Sequence, residues 1–245
     1  GANVQINVTG GATARELRRV FDSPALDHLS GTTAWKGSLK VRKKTADFVV
    51  ESSLVGLASS LPEPFNKTAS ASLPFRLERS ELPRSPDGKD REQLRISFKG
   101  LAEAILQRRD SADGMVLERG ALAAGAALPE LPANGLVGDV QLPRVDGDFW
   151  RKALAGGTEN GASVATVLPN VQRLSVRTPQ LRLFNRDFNA VDLVVATRDN
   201  AWQVGVSTRE ALGDLSWQGM GRGNLRADFK RLAVPAEAVI SGAEA

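Results

Sequence analysis

Alternation of apolar and polar residues over residues 174–235 constrains this chain more than any other feature. Apolar residues recur at every second position in 191–195, 202–206, 215–217 and 225–229. A period of two places the apolar side chains of a strand on one face and the polar side chains on the other. The segment is therefore predicted to form a β-meander with one apolar face, and the functional question is what covers that face.

Composition narrows the class of protein. Of the 245 residues, 42% are hydrophobic and 24% are charged, as in folded soluble domains, and no run of 18 apolar residues is present. The net charge of +4 comes from basic residues scattered singly along strands, which is typical of a solvated sheet face and not of a nucleic-acid site. The absence of cysteine excludes disulfides, thiolate metal sites and cysteine nucleophiles. Because the chain opens with Gly1-Ala2, we expect it to be a piece of a longer protein.

A short helix followed by strands occurs twice along the chain. Thr13 and Glu16 have the spacing of a capping box for the first helix, and Asp146 is placed to cap the second, which is predicted to end at Gly156-Gly157. We predict two units, residues 1–143 and 144–235, followed by a linker tail over 236–245. Strands are predicted over 32–42, 46–57, 73–79, 92–99, 101–108, 115–123, 136–142, 171–177, 180–184, 190–198, 202–207, 213–217 and 223–231.

Turn chemistry agrees with these boundaries. Asp199-Asn200 and Gln218-Gly219 stand where a tight hairpin needs residues that tolerate positive φ. Stretches rich in Pro, Gly or Ser over 80–90 and 156–165 predict exposed loops.

No constellation of residues predicts catalysis or a bound metal. His28 is the single histidine and has no partner at metal-ligand spacing, so a surface or half-buried histidine is predicted. Residues 219–223 resemble a phosphate-binding loop, but a strand and not a helix follows them. The carboxylates lie on the polar phase of strands, where exposure to solvent explains their presence without a catalytic role. We predict a protein that is not an enzyme and has no cofactor, and a hydrolase with an unrecognised site is the least favoured alternative.

Apolar stripes also mark the first half of the chain, where they involve Val4, Ile6 and Val8, Phe48 and Val50, Leu73, Phe75 and Leu77, and Leu94, Ile96 and Phe98. The residues alone leave two architectures open. In a closed sandwich the stripes form the core, whereas in an open, curved sheet they hold a lipid or a partner. The residues alone favour the sandwich, but two short helices cover little of roughly a dozen strands.

Four segments add a family resemblance. Residues 48–67 contain S-x-L-x-G-x-x-S-x-L-P-x-P-x-x-K, and residues 181–188 read L-x-L-F-N-R-x-F. Residues 202–217 carry W-x and then G-x-L-x-W, and residues 221–235 carry G-x-G-x-L with R-L-x-x-P. In their order and spacing these segments resemble the YhdP-type proteins of the AsmA-like superfamily from about residue 31 onward. Asn185 stands where the family often has Gly, and residues 156–165 resemble an insertion.

The resemblance implies an envelope protein of Gram-negative bacteria, anchored in the inner membrane by one N-terminal helix and otherwise periplasmic. It also implies a bridge-like lipid-transfer fold, in which repeated β-units curl into an elongated groove with an apolar floor. Family members are implicated in moving phospholipid toward the outer membrane and in maintaining its barrier. This chain is then expected to be an interior segment of such a protein.

We therefore expect a mainly β fold, in which elongated, curved antiparallel sheets form a groove with an apolar inner face, plus two short helices. The expected partners are phospholipid acyl chains, flanking segments of the same parent chain and other envelope proteins, with no nucleic acid. An alternative function is a structural or adaptor module that binds an envelope protein by strand-edge pairing. The candidate groove residues are Phe48, Val50, Phe75, Leu94, Ile96, Phe98, Val204 and Val206.

Overall fold

A computed structural model describes residues 3–20, 24–42, 45–112, 114–155, 170–218 and 223–233. The predicted loop over 156–165, with the glycines predicted to end the second helix, lies outside these residues, as do residues 219–222 and the predicted tail over 236–245. Among the described residues, no helix is both long and apolar enough to cross a membrane.

Strands dominate the described residues, which confirms the prediction of a mainly β fold with two short α-helices. The elements in chain order are β1 Asn3–Thr13, α1 Ala14–Val20, a 3-10 helix Pro24–His28, β2 Leu29–Arg42, β3 Thr45–Ser52, β4 Leu57–Ser59, β5 Phe75–Leu82, β6 Arg91–Phe98, β7 Ala102–Ser111, β8 Gly114–Ala124, β9 Gly135–Gln141, β10 Arg144–Asp146, α2 Gly147–Ala155, β11 Val171–Leu183, β12 Arg186–Arg198, β13 Ala201–Ser207, β14 Ala211–Gln218 and β15 Asn224–Leu232.

The strands form one open sheet whose main path runs β1-β2-β3-β5-β6-β7-β8-β9-β11-β12-β13-β14-β15. Beside this path, β4 pairs with the start of β2 and β10 with the end of β11. Most neighbours are antiparallel, but β8–β9, β9–β11 and β10–β11 are parallel. The sheet is therefore mixed and not wholly antiparallel as expected, because the chain returns along the sheet before β9 and again before β11.

The connection between β8 and β9 crosses one face of the sheet. Residues 125–134 lead from the end of β8 back to the start of β9, and the Arg119 guanidinium donates to the Pro132 carbonyl oxygen at 3.4 Å. Ala121 and Ala123 share the face of Arg119 and are 0% and 3% exposed. Small side chains at these positions leave room for a crossing segment, so the sheet is tightly covered here.

Both predicted helix starts are confirmed. The Thr13 hydroxyl accepts from the Glu16 N–H at 3.1 Å, and the Glu16 carboxylate accepts from the Thr13 N–H at 2.8 Å, which completes a capping box. The backbone and hydroxyl hydrogen bonds from Thr13 lower the pKa of Glu16. At the second helix, Asp146 Oδ1 accepts from the Phe149 N–H at 2.8 Å.

The sheet is curved, and a small aromatic cluster bridges the curve. In the strand order, β2 and β11 are seven spacings apart, which is about 34 Å in a flat sheet. His28 directly precedes β2, yet its ring lies 4.6 Å from that of Phe149 in α2, a helix that also contacts β11. Phe65, between β4 and β5, packs against Trp150 of α2 with ring centroids 5.5 Å apart. The ends of distant strands are thus brought together, as curvature requires.

Large, fully buried side chains are scarce in the described part of the chain. Val171 is the largest side chain there with less than 2% exposure, and alanines make up much of the remaining buried apolar set. A closed sandwich buries the inner faces of two sheets against each other, with large side chains interdigitating. A single open sheet with so few such side chains does not fit the closed-sandwich alternative.

β11 joins two predicted strands, 171–177 and 180–184, into one. Pro179 lies at the level of the gap between β9 and β10, because Arg177 pairs with Gln141 and Gln180 pairs with Arg144. A proline is tolerated where the ladder is interrupted, since no hydrogen bond is lost there. The β9–β11 pairing also carries the sheet across the boundary between units 1–143 and 144–235, and the division into these units stays a prediction.

Candidate functional site

The strand register aligns apolar residues into a row that crosses the sheet from edge to edge. Residues that pair directly across neighbouring strands point to the same face, so the pairs can be followed from β1 to β15. This path defines the apolar row, which contains Val8, Gly37, Val50, Leu77, Ile96, Ala104, Leu122, Gly138, Leu174, Val195, Val204, Leu215 and Ala227. Each strand of the main path contributes one residue, and none of these residues has a polar side chain.

Two flanking rows on the same face widen the apolar surface. The register joins Phe75, Phe98, Ala102, Ala124, Val140, Val176, Leu193 and Val206 on one side. On the other side it joins Phe48, Arg79, Leu94, Leu106, Gly120 and Leu136. The structure thus brings all eight candidate groove residues onto one face, with Val50, Ile96 and Val204 in the apolar row. Their role as a lipid site stays a prediction.

Neighbouring side chains fill the gaps that glycines leave in the apolar row. A Cβ at Gly138 would lie 2.8 Å from side-chain atoms of both Leu122 and Leu174. At Gly37, the nearest atoms to such a Cβ belong to the Trp35 ring, at 3.0 Å. The row is therefore a filled apolar surface and not a series of pits.

The opposite face is mostly polar. The residues directly before or after the members of the apolar row are joined by the register into the polar row: Thr9, Lys36, Glu51, Arg76, Ser97, Glu103, Ala123, Asp139, Ser175, Val194, Gly205, Asp214 and Asp228. Ion pairs connect strands on this face, as between Arg76 and Glu51 and between Arg95 and Glu103. This face satisfies its charges internally and with solvent.

The apolar row is only partly shielded from solvent. Its outermost members, Val8 and Ala227, are exposed, Gly37 and Gly138 are buried, and the remaining side chains are half-buried. The helical elements contact the sheet mainly at β1, β2 and β11. A contiguous apolar surface of this kind is typical of an interaction site.

Two cavities of the described chain lie mainly on the polar face. One has a volume of about 1680 Å³ and is lined by six members of the polar row, among them Glu51, Arg76 and Glu103, and also by Phe75 and Phe98. A second, of about 500 Å³, is lined by Val204 and by mostly polar-face residues. Since most of the candidate residues line neither cavity, they form an open surface and not an enclosed pocket.

A cluster of charged side chains interrupts the apolar face, and sequence reasoning missed it. Glu92 forms ion pairs with both Arg79 and Arg108, and its side chain is only 5% exposed. Burial by itself raises the pKa of Glu92, but the hydrogen bonds from the two guanidinium groups outweigh it and hold that pKa below its usual value. The signal was present in the sequence, because Arg79 shares the parity of the apolar residues Phe75 and Leu77 on its strand.

The family-like segment over 48–67 has a structural role. The Lys67 ammonium donates to the carbonyl oxygens of Leu54 at 2.8 Å and Thr68 at 3.1 Å, and burial lowers the pKa of Lys67. Gly56 has φ of +94°, and a Cβ there would lie 2.1 Å from the Thr32 carbonyl oxygen. These residues fix the backbone between β3 and β5, so the family-like segment over 48–67 stabilises the local fold.

The second family-like segment, 181–188, forms the turn between β11 and β12. The Asp148 carboxylate of α2 accepts from the N–H groups of Phe184 and Asn185 at 2.8 and 2.7 Å, and these bonds lower the pKa of Asp148. Asn185 has φ of +57°, a conformation that asparagine adopts more readily than most residues other than glycine.

His28 and the acidic residues of the described chain do not assemble a metal site. Within the described ranges, no group of three or more His, Cys, Asp or Glu side chains is arranged to hold a metal ion. His28 is half-buried against Phe149, and its Nδ1 lies 3.3 Å from Ser60 Oγ. Its contacts are those of a packing residue.

An open, curved sheet with one apolar face and one mostly polar face defines the class of this protein as an open β-sheet protein. A family model described as YhdP protein matches residues 1–244, so the chain belongs to the YhdP family. Membership suggests a function related to lipid transport in the cell envelope, in a family of non-enzymatic type. No curated protein and no solved structure matches the chain.

Proposed function

We propose that this chain carries phospholipid, with the acyl chains lying along the apolar row. The observation that supports the proposal is the row itself, which is apolar on every strand of the main path. In full, the proposal is that the chain is a periplasmic segment of an inner-membrane-anchored protein. Such a protein moves phospholipid between the inner and outer membranes and supports the outer-membrane barrier.

The dimensions of the apolar surface suit acyl chains. Twelve spacings between the strands of the main path give a contour of about 58 Å, and three rows span about 13 Å along the strands. Each methylene that leaves water gains about 0.8 kcal/mol. Because this gain requires no directional bond, a chain can slide along the row without a large barrier. A surface of this kind needs no catalytic group.

Site-specific photo-crosslinking in cells tests the proposal within the full-length parent protein. A photoreactive residue is placed at Ile96 or Val204 in the apolar row, and the adducts are identified by mass spectrometry. Arg95 and Gln203 are the matched controls, because each precedes its partner directly and points to the opposite face. Phospholipid adducts at Ile96 and Val204, and none at the controls, are the expected result.

Two outcomes contradict the proposal. Equal lipid labelling at all four positions indicates contact with a bilayer or micelle and not a ligand face. Absence of lipid at every position, with protein adducts at the apolar positions, indicates that another protein segment covers the face.

A second candidate function rests on the edges of the sheet. In the described chain β1 is an end strand, and its Val4, Ile6 and Val8 are 49%, 47% and 48% exposed. A long end strand with apolar side chains can pair with a strand of another envelope protein. The Asn7→Pro substitution removes the backbone N–H of residue 7, which breaks such pairing where that N–H points away from β2. Loss of a partner protein in this variant, while the lipid adducts are retained, favours the adaptor function.

A further inference from the structure

A cluster of one buried carboxylate and two arginines lies on the apolar face, next to the apolar row. Glu92 accepts from Arg79 Nε and from an Arg108 terminal nitrogen, and its side chain is 5% exposed. Arg79 and Arg108 keep 42% and 33% of their side chains exposed. In this arginine–glutamate cluster the buried Glu92 holds the two guanidinium groups in place, and both arginine side chains remain partly exposed to solvent.

The cluster has unused donor capacity. A guanidinium group offers five N–H donors, and one carboxylate cannot satisfy two such groups. Arg108 Nε is buried and has no hydrogen-bond partner among the described residues. A buried donor without a partner is costly, so an acceptor that reaches this nitrogen is stabilising.

Position relates the cluster to the apolar row. Leu77 belongs to the row, and Arg79 lies two residues further along β5 on the same face, which is about 7 Å away. Arg79 stands in register between Phe48 and Leu94, two of the candidate groove residues. A ligand with an apolar chain on the row can therefore place an attached polar group at the cluster.

We propose that Arg79 and Arg108 bind the phosphate group of a phospholipid whose acyl chains lie on the apolar row, an inference that rests on the proposed function. Guanidinium groups bind phosphate through paired, charge-assisted hydrogen bonds. Glu81 pairs directly with Glu92 on this face, and its carboxylate accepts from the Ala46 N–H at 3.3 Å. With Glu81 the surroundings hold two carboxylates and two guanidinium groups, so their formal charges cancel. The site therefore suits a phosphate that is delivered by its lipid chains more than a free anion.

Calorimetric titration of the 245-residue chain with two lipids of equal chain length tests the site. Dioctanoyl phosphatidylglycerol carries the phosphate, dioctanoylglycerol lacks it, and inorganic phosphate alone is the third probe. The variants are Arg79→Gln and Arg108→Gln. Arg76→Gln is the matched control, because Arg76 lies on the same strand with 45% exposure, also pairs with a carboxylate, and points to the opposite face.

We expect the unmodified chain to bind the phosphate-containing lipid about tenfold more tightly than dioctanoylglycerol, because charge-assisted hydrogen bonds distinguish the two. Arg79→Gln and Arg108→Gln remove most of this preference and leave dioctanoylglycerol binding unchanged, whereas Arg76→Gln keeps it. Thermal denaturation checks that each variant folds. If Arg108→Gln does not fold, Arg108→Lys keeps the charge without the fork and is expected to lose most of the preference.

Each remaining outcome overturns the inference in a different way. Tight binding of both lipids with the same ratio in all variants rejects the phosphate site and leaves the proposed function intact. Absence of binding by either lipid rejects both. Binding of inorganic phosphate that Arg108→Gln abolishes, without binding of lipid, identifies a free-anion site instead.

Discussion

On one face of the sheet, charged side chains pair across neighbouring strands, whereas on the other face the same strands present apolar side chains in register. Glu51 and Arg76 form a pair on the polar face, and Val50 and Leu77, each one residue away, pair on the apolar face. The two faces thus differ in most strands while sharing one backbone.

The difference teaches that the sheet is built for two environments and not for a closed core. A sheet packed on both sides shows continuous apolar runs, and a sheet with one solvated side alternates. Here the alternation is kept over both halves of the chain, yet the apolar side has no second layer that buries large side chains among the described residues. Under the proposed function, the acyl chains of the lipid cover that side.

A charge placed in the apolar row gives the largest expected effect. Val204→Asp removes the apolar contact of three or four methylenes of a bound acyl chain. We expect this to cost about 3 kcal/mol, or about a hundredfold in lipid affinity. Gln203→Asp makes the same change on the polar face and is expected to leave affinity unchanged. Calorimetric titration with dioctanoyl phosphatidylglycerol measures both, and equal losses in the two variants would erase the functional distinction between the faces.

Removal of the buried charge on the apolar face has the next largest effect. Glu92→Gln leaves Arg79 and Arg108 without their carboxylate, and we expect the free energy of unfolding to fall by about 2 kcal/mol, since both arginines still reach solvent. Chemical denaturation measures the change at neutral pH.

The same variant has a pH signature. Because the pKa of Glu92 is lowered by folding, its contribution is complete above the unfolded value, about 4.3, and is lost as the pH falls through the lowered folded value. The difference between the unmodified chain and Glu92→Gln should therefore shrink on acidification below that value. A difference that stays constant to lower pH would mean that Glu92 acts by its shape and not by its charge.

Alanine substitutions at two glycines, one on each face, compare how tightly the two faces are packed. A Cβ at Gly138 in the apolar row meets leucine side chains at 2.8 Å, whereas at Gly205 in the polar row the nearest atom is Asp214 Oδ1 at 3.6 Å. Gly138→Ala should cost about 1 kcal/mol because leucine ends must shift, and Gly205→Ala should be neutral or slightly stabilising. Thermal denaturation of the two variants measures this, and the reverse order would contradict the filled apolar surface.

Local signals in the sequence predicted local structure well. The Thr13–Glu16 capping box and the Asp146 cap are present as expected, and Asp199 and Asn200 have the predicted positive φ. These features depend on residues within a few positions of one another, where hydrogen-bond geometry and side-chain chemistry decide the conformation.

Strand partners and strand directions could not be read in the same way. Alternation determines which side chains share a face, but an antiparallel and a parallel neighbour satisfy it equally. The parallel β8–β9 pair depends on the route of residues 125–134, which Ala121 and Ala123 permit by being small. The arginine–glutamate cluster departs from the rule that charges occupy the polar phase of a strand, because Arg79 shares the parity of the apolar Leu77 on β5.

A surface ion pair gives the smallest expected effect and sets the baseline for the polar face. Arg95 pairs with Glu103, and their side chains are 49% and 33% exposed, so solvent screens the pair strongly. Arg95→Gln should change the free energy of unfolding by less than about 0.5 kcal/mol and leave lipid affinity unaltered. Chemical denaturation at low and high salt measures it. A loss as large as that of Glu92→Gln would mean that the polar face is also buried, and the contrast between the two faces would have to be abandoned.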